Sequence, residues 1–182
     1  GAVTTAKLGN DAVTKAKIGT TELDLATIKD STGTNTAMTI DSSGRVLQPA
    51  LPSFHVYDLS YGARGSGVTE GTGGTVLNNT GNCYATGTGR FTASVAGRYF
   101  ISACIQSYDT VQTTDYNAIL LKKNGATYGA EIYHGVSQAD ENYHNSVYWN
   151  GVVELAVNDY LQVHAVFGAR DIQNFFTGYL IG

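Results

Sequence analysis

Tyr84-Ala85-Thr86-Gly87-Thr88-Gly89-Arg90-Phe91-Thr92-Ala93-Ser94-Val95-Ala96-Gly97-Arg98-Tyr99-Phe100-Ile101 reads as two short strands, each announced by a glycine. Gly89 precedes the first and Gly97 the second, where the chain must turn at little steric cost. Between and after them the text is β-branched and aromatic, the residue types that pack well on a pleated surface. Phe91, Tyr99 and Phe100 are large enough to anchor a core, and Phe176 and Tyr179 near the end of the chain have the same look.

Working outward, the same grammar fills residues 51–182. Phe54 to Tyr57, Thr75 to Leu77, Asn117 to Lys122, Ser146 to Val157, Tyr160 to Phe167 and Phe175 to Ile181 read as further strands. Gly71-Thr72-Gly73-Gly74, Asn124-Gly125 and Asn158-Asp159 punctuate them as turns. Many short strands at regular spacing predict an all-β sandwich or jelly roll. The composition agrees: 22 Gly and 12 Tyr against 1 Trp and 2 Pro suit tight turns between strands.

Four segments in chain order resemble the complement C1q-like family, a branch of the C1q/tumour-necrosis-factor jelly rolls. Tyr84, then Thr88-Gly89-Arg90-Phe91, Val95, Gly97 and Tyr99-Phe100 resemble its central signature, with Ala96 where a proline is usual. Leu120-Leu121-Lys122-Lys123-Asn124-Gly125 resembles its next hairpin. Val152-Val153-Glu154-Leu155 followed by Asp159, Leu161, Gln162 and Val163 resembles its paired leucine and valine strands, with Asn158 in place of the commoner glycine. Phe176-Thr177-Gly178-Tyr179-Leu180-Ile181 resembles its closing strand. The resemblance covers about residues 53–182 and implies a ten-stranded jelly roll that assembles as a homotrimer.

The N-terminal part is different. Ala2-Val3-Thr4-Thr5-Ala6-Lys7-Leu8-Gly9 returns ten residues later as Ala12-Val13-Thr14-Lys15-Ala16-Lys17-Ile18-Gly19, and Leu23, Ala26 and Ile28 continue it in decayed form. Val3, Leu8, Val13, Ile18, Leu23 and Ile28 thus recur every five residues, a period that neither a helix nor a strand keeps on one face. Such copies bury too little to stand alone, so the segment is expected to be an intertwined stalk shared with other chains. Residues 2–29 resemble the decapeptide runs of phage tail-fibre and neck-fibre proteins. Ala37 to Ile40, Asp41 to Gly44 and Arg45 to Leu47 then read as strand, turn, strand. Pro49 and Pro52 stiffen the chain around Ala50-Leu51, so residues 1–50 are expected to form stalk and connector and residues 51–182 the head. The chain starts at Gly1 rather than Met, and reads as a fragment whose natural N-terminal part, with its contacts to other virion proteins, is missing.

Charge narrows the partners. Residues 1–50 hold five basic and five acidic side chains, while residues 51–182 hold six and ten, so the formal charge of −4 belongs to the head. An acidic head does not suit nucleic acid, which is met by basic surfaces. No apolar run approaches the roughly 20 residues of a membrane-spanning helix, so no membrane insertion is expected. Cys83 and Cys104 are either two buried thiols or one internal disulfide. Neither metal-protease, P-loop nor serine-hydrolase spacing occurs, and the chain reads as no enzyme. His55, His134, His144 and His164 have no ligand spacing. No cofactor is expected, although Asp109, Asp115, Asp140 and Asp171 have the oxygen chemistry that Ca²⁺ takes in some relatives of this type.

Recognition remains. Loop-like segments carry Tyr108, Asp109, Tyr116, Tyr128, Tyr133, His134, Tyr143, His144, Asp171 and Asn174. Aromatic faces beside Asp and Asn suit a glycan or protein surface, and all except Tyr128 are taken as candidate ligand contacts. The expectation is a virion fibre head, exposed on the particle, that attaches to a host-cell surface. A purely structural cap that registers three chains, or a secreted C1q-like recognition protein, are the alternatives.

Overall fold

The computed structural model describes residues 27–29, 32–34, 36–61, 68–108, 116–129, 132–135, 144–166 and 174–182. The ten-residue repeats lie outside the described residues. The chain divides into two compact units, Gly1–Pro49 and Ala50–Gly182. In the first, β1 (Thr27–Lys29), β2 (Thr36–Ile40) and β3 (Val46–Leu47) form an antiparallel meander. Asp41 makes its turn: one carboxylate oxygen accepts from the Ser43 and Arg45 amides at 2.9 Å each, and the other from Arg45 Nε at 2.7 Å. Gly44 sits at φ 76°, the left-handed geometry glycine takes most easily.

The second unit has two facing sheets. Five strands make the first: β4 (Ser53–Ser60), β6 (Thr72–Thr80), β9 (Gly97–Tyr108), β13 (His144–Leu155) and β15 (Phe175–Leu180), in the order β13-β9-β15-β4-β6. The second contains β5 (Val68–Glu70), β7 (Tyr84–Ala85), β8 (Arg90–Thr92), β10 (Tyr116–Lys123), β11 (Ala126–Thr127), β12 (Ile132–Gly135) and β14 (Tyr160–Val166). Its path runs β11-β10-β14-β8-β7, with β12 beside β10 and β5 beside β14. All pairings are antiparallel, and no helix occurs among the described residues. The sheets are those of a C1q/TNF-like jelly roll. Twelve strand segments are described where ten were expected, the surplus being short pieces such as β7 and β11.

An aromatic cluster closes the sandwich. The Phe54 ring stacks on Phe91 with centroids 4.6 Å apart and meets Phe176 edge-on at 4.7 Å, while Phe91 meets Tyr99 at 5.2 Å. The Tyr99 hydroxyl donates to the Val95 carbonyl at 2.6 Å, so a large ring is buried without stranding its polar tip. Gly89 is required by space: at φ 64°, a Cβ there would collide with the Gly71 carbonyl oxygen.

Two of the expected anchors are not in the core. Tyr99, Ile101 and Ala103 of β9 point inward, so strand alternation turns Phe100 and Ser102 outward. On β15 the inward residues are Phe176, Gly178 and Leu180, which places Tyr179 on the outside. Phe91, Tyr99 and Phe176 are fully buried as expected. Cys83 and Cys104 are buried free thiols rather than a disulfide.

Strand directions give the head two distinct ends. Ser53, where β4 begins, is level with Tyr179, Phe100 and Val152. Arg98 and Gly182 meet there as well, the Arg98 amide donating to the Gly182 carbonyl at 2.8 Å. At the opposite, distal end lie the strand termini that flank residues 62–67, 109–115, 136–143 and 167–173.

Candidate functional site

The distal end gathers the backbones of most of the sequence-predicted contacts. Tyr108 and His144 are cross-strand partners at the last rung of the β9–β13 ladder. Tyr116 opens β10, and its neighbours Asn117 and Ala118 pair with His134 and Tyr133 of β12. Asp109, Tyr143 and Asp171 lie outside the described residues, as do Asp115 and Asp140. Among the described residues no three acidic, histidine or cysteine side chains group as a metal site would require.

One residue leaves the candidate set. Asn174 is 1 % exposed, and its side chain serves the backbone. Its Oδ1 accepts from the Leu59 amide at 2.7 Å and its Nδ2 donates to the Leu59 carbonyl at 3.0 Å. Its own carbonyl accepts from the Asp58 amide at 3.0 Å. Asp58 has φ 54°, so Asn174 braces β4 where the strand is forced into a left-handed kink. Tyr128, the loop aromatic outside that set, packs against the core away from the distal end: its amide donates to the Leu121 carbonyl, and it lines a cleft together with Gly97 and Lys123.

His55 and His164 lie on different sheets. His55 stacks on Phe175 with centroids 6.2 Å apart, on the five-stranded sheet. His164 is buried on the other sheet between Leu120 and Glu70, and burial lowers its pKa to about 4, with Lys122 adding to the effect. It is therefore neutral at physiological pH.

The second candidate surface is one that sequence reasoning missed, the outer face of the five-stranded sheet. Cross-strand register lays its side chains out in rows. Val152, Phe100, Tyr179 and Ser53 form the row at the proximal end. Asn150, Ser102, Thr177 and His55 form the next, and Tyr148, Cys104, Phe175 and Tyr57 the third. Phe100 and Tyr179 touch with ring centroids 5.5 Å apart. Tyr148, Val152 and Tyr179 are nevertheless 52 %, 54 % and 52 % exposed. The two hydroxyls of the middle row are spent on near neighbours: that of Ser102 donates to Asn150 Oδ1 at 2.6 Å and that of Thr177 to the Phe54 carbonyl at 2.8 Å. Burial between Tyr148 and Phe175 pushes the Cys104 thiol pKa up, so that thiol is a packing group and not a nucleophile.

These three rows contain no Asp, Glu, Lys or Arg. At the proximal margin of these rows Arg98 faces Glu154. The seven-stranded sheet is the contrast: its outer face carries Lys122, Glu70 and an Arg90 guanidinium 4.1 Å over the Tyr160 ring. A contiguous aromatic surface depleted of charge has the chemistry of a protein–protein contact. The signal available in the sequence was the two-residue spacing of Tyr148, Asn150 and Val152 against Val147, Trp149 and Val153.

Comparison with known proteins fits this geometry. The head superposes on the globular domain of zebrafish complement 1qA with a TM-score of 0.56 at 20 % identity, covering 72 % of this chain and 98 % of that one. Murine APRIL superposes with a TM-score of 0.55 at 16 % identity, covering 72 % of this chain and 99 % of that one. Likeness at such identity concerns the fold. No curated protein matches the chain in sequence. The family profile of the C1q domain matches residues 70–181, more than half of the chain, and the chain belongs to the C1q-domain family.

Proposed function

We propose that this chain is a non-enzymatic virion fibre head, of a phage tail, neck or capsid fibre, that assembles as a homotrimer and attaches to a host-cell glycan or protein. The observation that carries the reading is the division of labour on the head. The uncharged aromatic rows around Phe100, Tyr148 and Tyr179 suit contact with identical copies. The ladder ends at Tyr108, Tyr116, His134 and His144 gather at the end away from Ser53, where the chain enters. Three copies present that distal end three times, so that weak contacts multiply by avidity. The decapeptide repeats of residues 2–29 support the fibre part of the reading. The acidic head argues for a glycan or a basic protein surface and against nucleic acid.

The purified full chain, presented to an array of bacterial surface glycans and to intact bacterial cells, tests this. Binding is expected, and Tyr108→Ala together with His144→Ala should reduce it at least tenfold without changing the particle mass. Absence of binding to every surface, with chains left unassembled when residues 51–182 are deleted, would overturn attachment in favour of a structural cap.

A further inference from the structure

The connector meander has an apolar side that no described residue of its own unit covers. Ile28 pairs with Met38 across β1–β2, and Ile40 with Val46 across β2–β3. Met38 and Ile40 are two residues apart on one strand, so all four share a face. The other face carries Thr27, Ala37 and Thr39, with Leu47 its one large apolar residue. Ile28, Ile40 and Val46 are 38 %, 43 % and 58 % exposed, and among the described residues the buried core begins only at Phe54. Strands of three, five and two residues do not persist in water on their own pairing. The turn is nonetheless well formed, because Asp41 and Arg45 satisfy one another and hold Val46 opposite Ile40.

We propose that the face formed by Ile28, Met38, Ile40 and Val46 is a second self-association surface, packing against the same face of other copies of this chain. The inference rests on the trimeric head proposed above. What selects identical copies as the occupant is tethering. Pro52 is already anchored to the head, its carbonyl accepting from the Leu180 amide at 3.0 Å. Five residue steps separate Leu47 from Pro52, a reach of at most about 18 Å. The adjoining Ser53 pairs with Tyr179, on the face assigned to head association. Copies joined through that face therefore hold their connectors together at an effective concentration in roughly the millimolar range. Charge does not oppose the approach: residues 27–50 contain Lys29 and Arg45 against Asp30 and Asp41, 2 − 2 = 0.

Single cysteines in the full-length chain test the inference. Ile40→Cys and Val46→Cys lie on the apolar face, and Thr39→Cys on the opposite one; the native Cys83 and Cys104 are buried. After mild oxidation, a non-reducing gel is expected to show two-chain species for at least one of the first pair and none for Thr39→Cys. Light scattering is run on the same samples. A three-chain mass with no cross-link at position 40 or 46, or with equal cross-linking at 39, would overturn this inference while the head's assembly stands; the face would then belong to another segment of its own chain. A single-chain mass would overturn both.

Discussion

At the scale of single residues, the position of Asn174 shows how a loop asparagine can be structural. Its amide satisfies both backbone groups of Leu59, and its main chain satisfies Asp58 at the kink of β4. Asn174→Ala would leave the Leu59 N–H and C=O buried without these partners. Each such loss costs about 1–3 kcal/mol, so the head is expected to lose about 2–6 kcal/mol in urea unfolding at fixed chain concentration. A residue that touched ligand would show the opposite result: unchanged unfolding and impaired binding. From sequence, Asn174 was indistinguishable from a recognition residue. Polar side chains near strand ends serve either purpose, and the kink it braces arises 116 residues earlier, at Asp58.

At the scale of elements, two hairpins are latched by one carboxylate. The Asn124-Gly125 turn has φ of 52° and 84°, the positive values a type I′ hairpin demands. Asn124 Nδ2 donates to Asp159 Oδ1 at 2.7 Å, and Lys123 Nζ and the Ala156 amide both reach Asp159 Oδ2 at 2.9 Å. These donors, Asn124 first and then Lys123, hold the Asp159 pKa at about 2. Above about pH 4 the latch contributes its full stability, because folded and unfolded chains are both ionised there. As pH falls from about 4 to 2 the unfolded chain takes a proton that the folded chain refuses, and the contribution is lost. The midpoint of thermal unfolding should therefore fall across that window in the native chain and fall less steeply in Asp159→Asn. The hairpin itself was legible, because Asn-Gly has one dominant turn geometry. The sides of its neighbours were only partly so. Tyr99 and Phe100 are adjacent aromatics, and a strand can send only one of them into the core. Which one depends on register with β13 and β15, where Tyr148, Val152 and Tyr179 make the outer face apolar too. With hydrophobic residues on both sides, alternation lost its power to tell inside from outside.

At the scale of the molecule, the same ambiguity becomes the argument for assembly. Phe100, Tyr148, Val152 and Tyr179 occupy rows with no charged residue, although the head as a whole is acidic. Covering such side chains is worth about 1.5–3 kcal/mol each when burial is complete, and a face shared among copies would draw on several at once. A single carboxylate set into that contact would be desolvated in every protomer without a basic partner, since the nearest cation of the rows is Arg98 at the margin, opposite Glu154. Val152→Asp combined with Tyr179→Asp is therefore expected to reduce the mass seen by light scattering from three chains to one. Lys122→Asp on the polar outer face of the other sheet should leave the mass unchanged. The circular-dichroism spectrum of each variant separates dissociation from unfolding, and a folded Val152→Asp/Tyr179→Asp protein that keeps its three-chain mass would exclude this face from the interface. Avidity gives the same substitution a second consequence. Dispersed heads that still fold keep the backbones of Tyr108 and His144 at the distal end, so under the proposed function each would retain its own weak contact while the avidity of three joined heads would be lost.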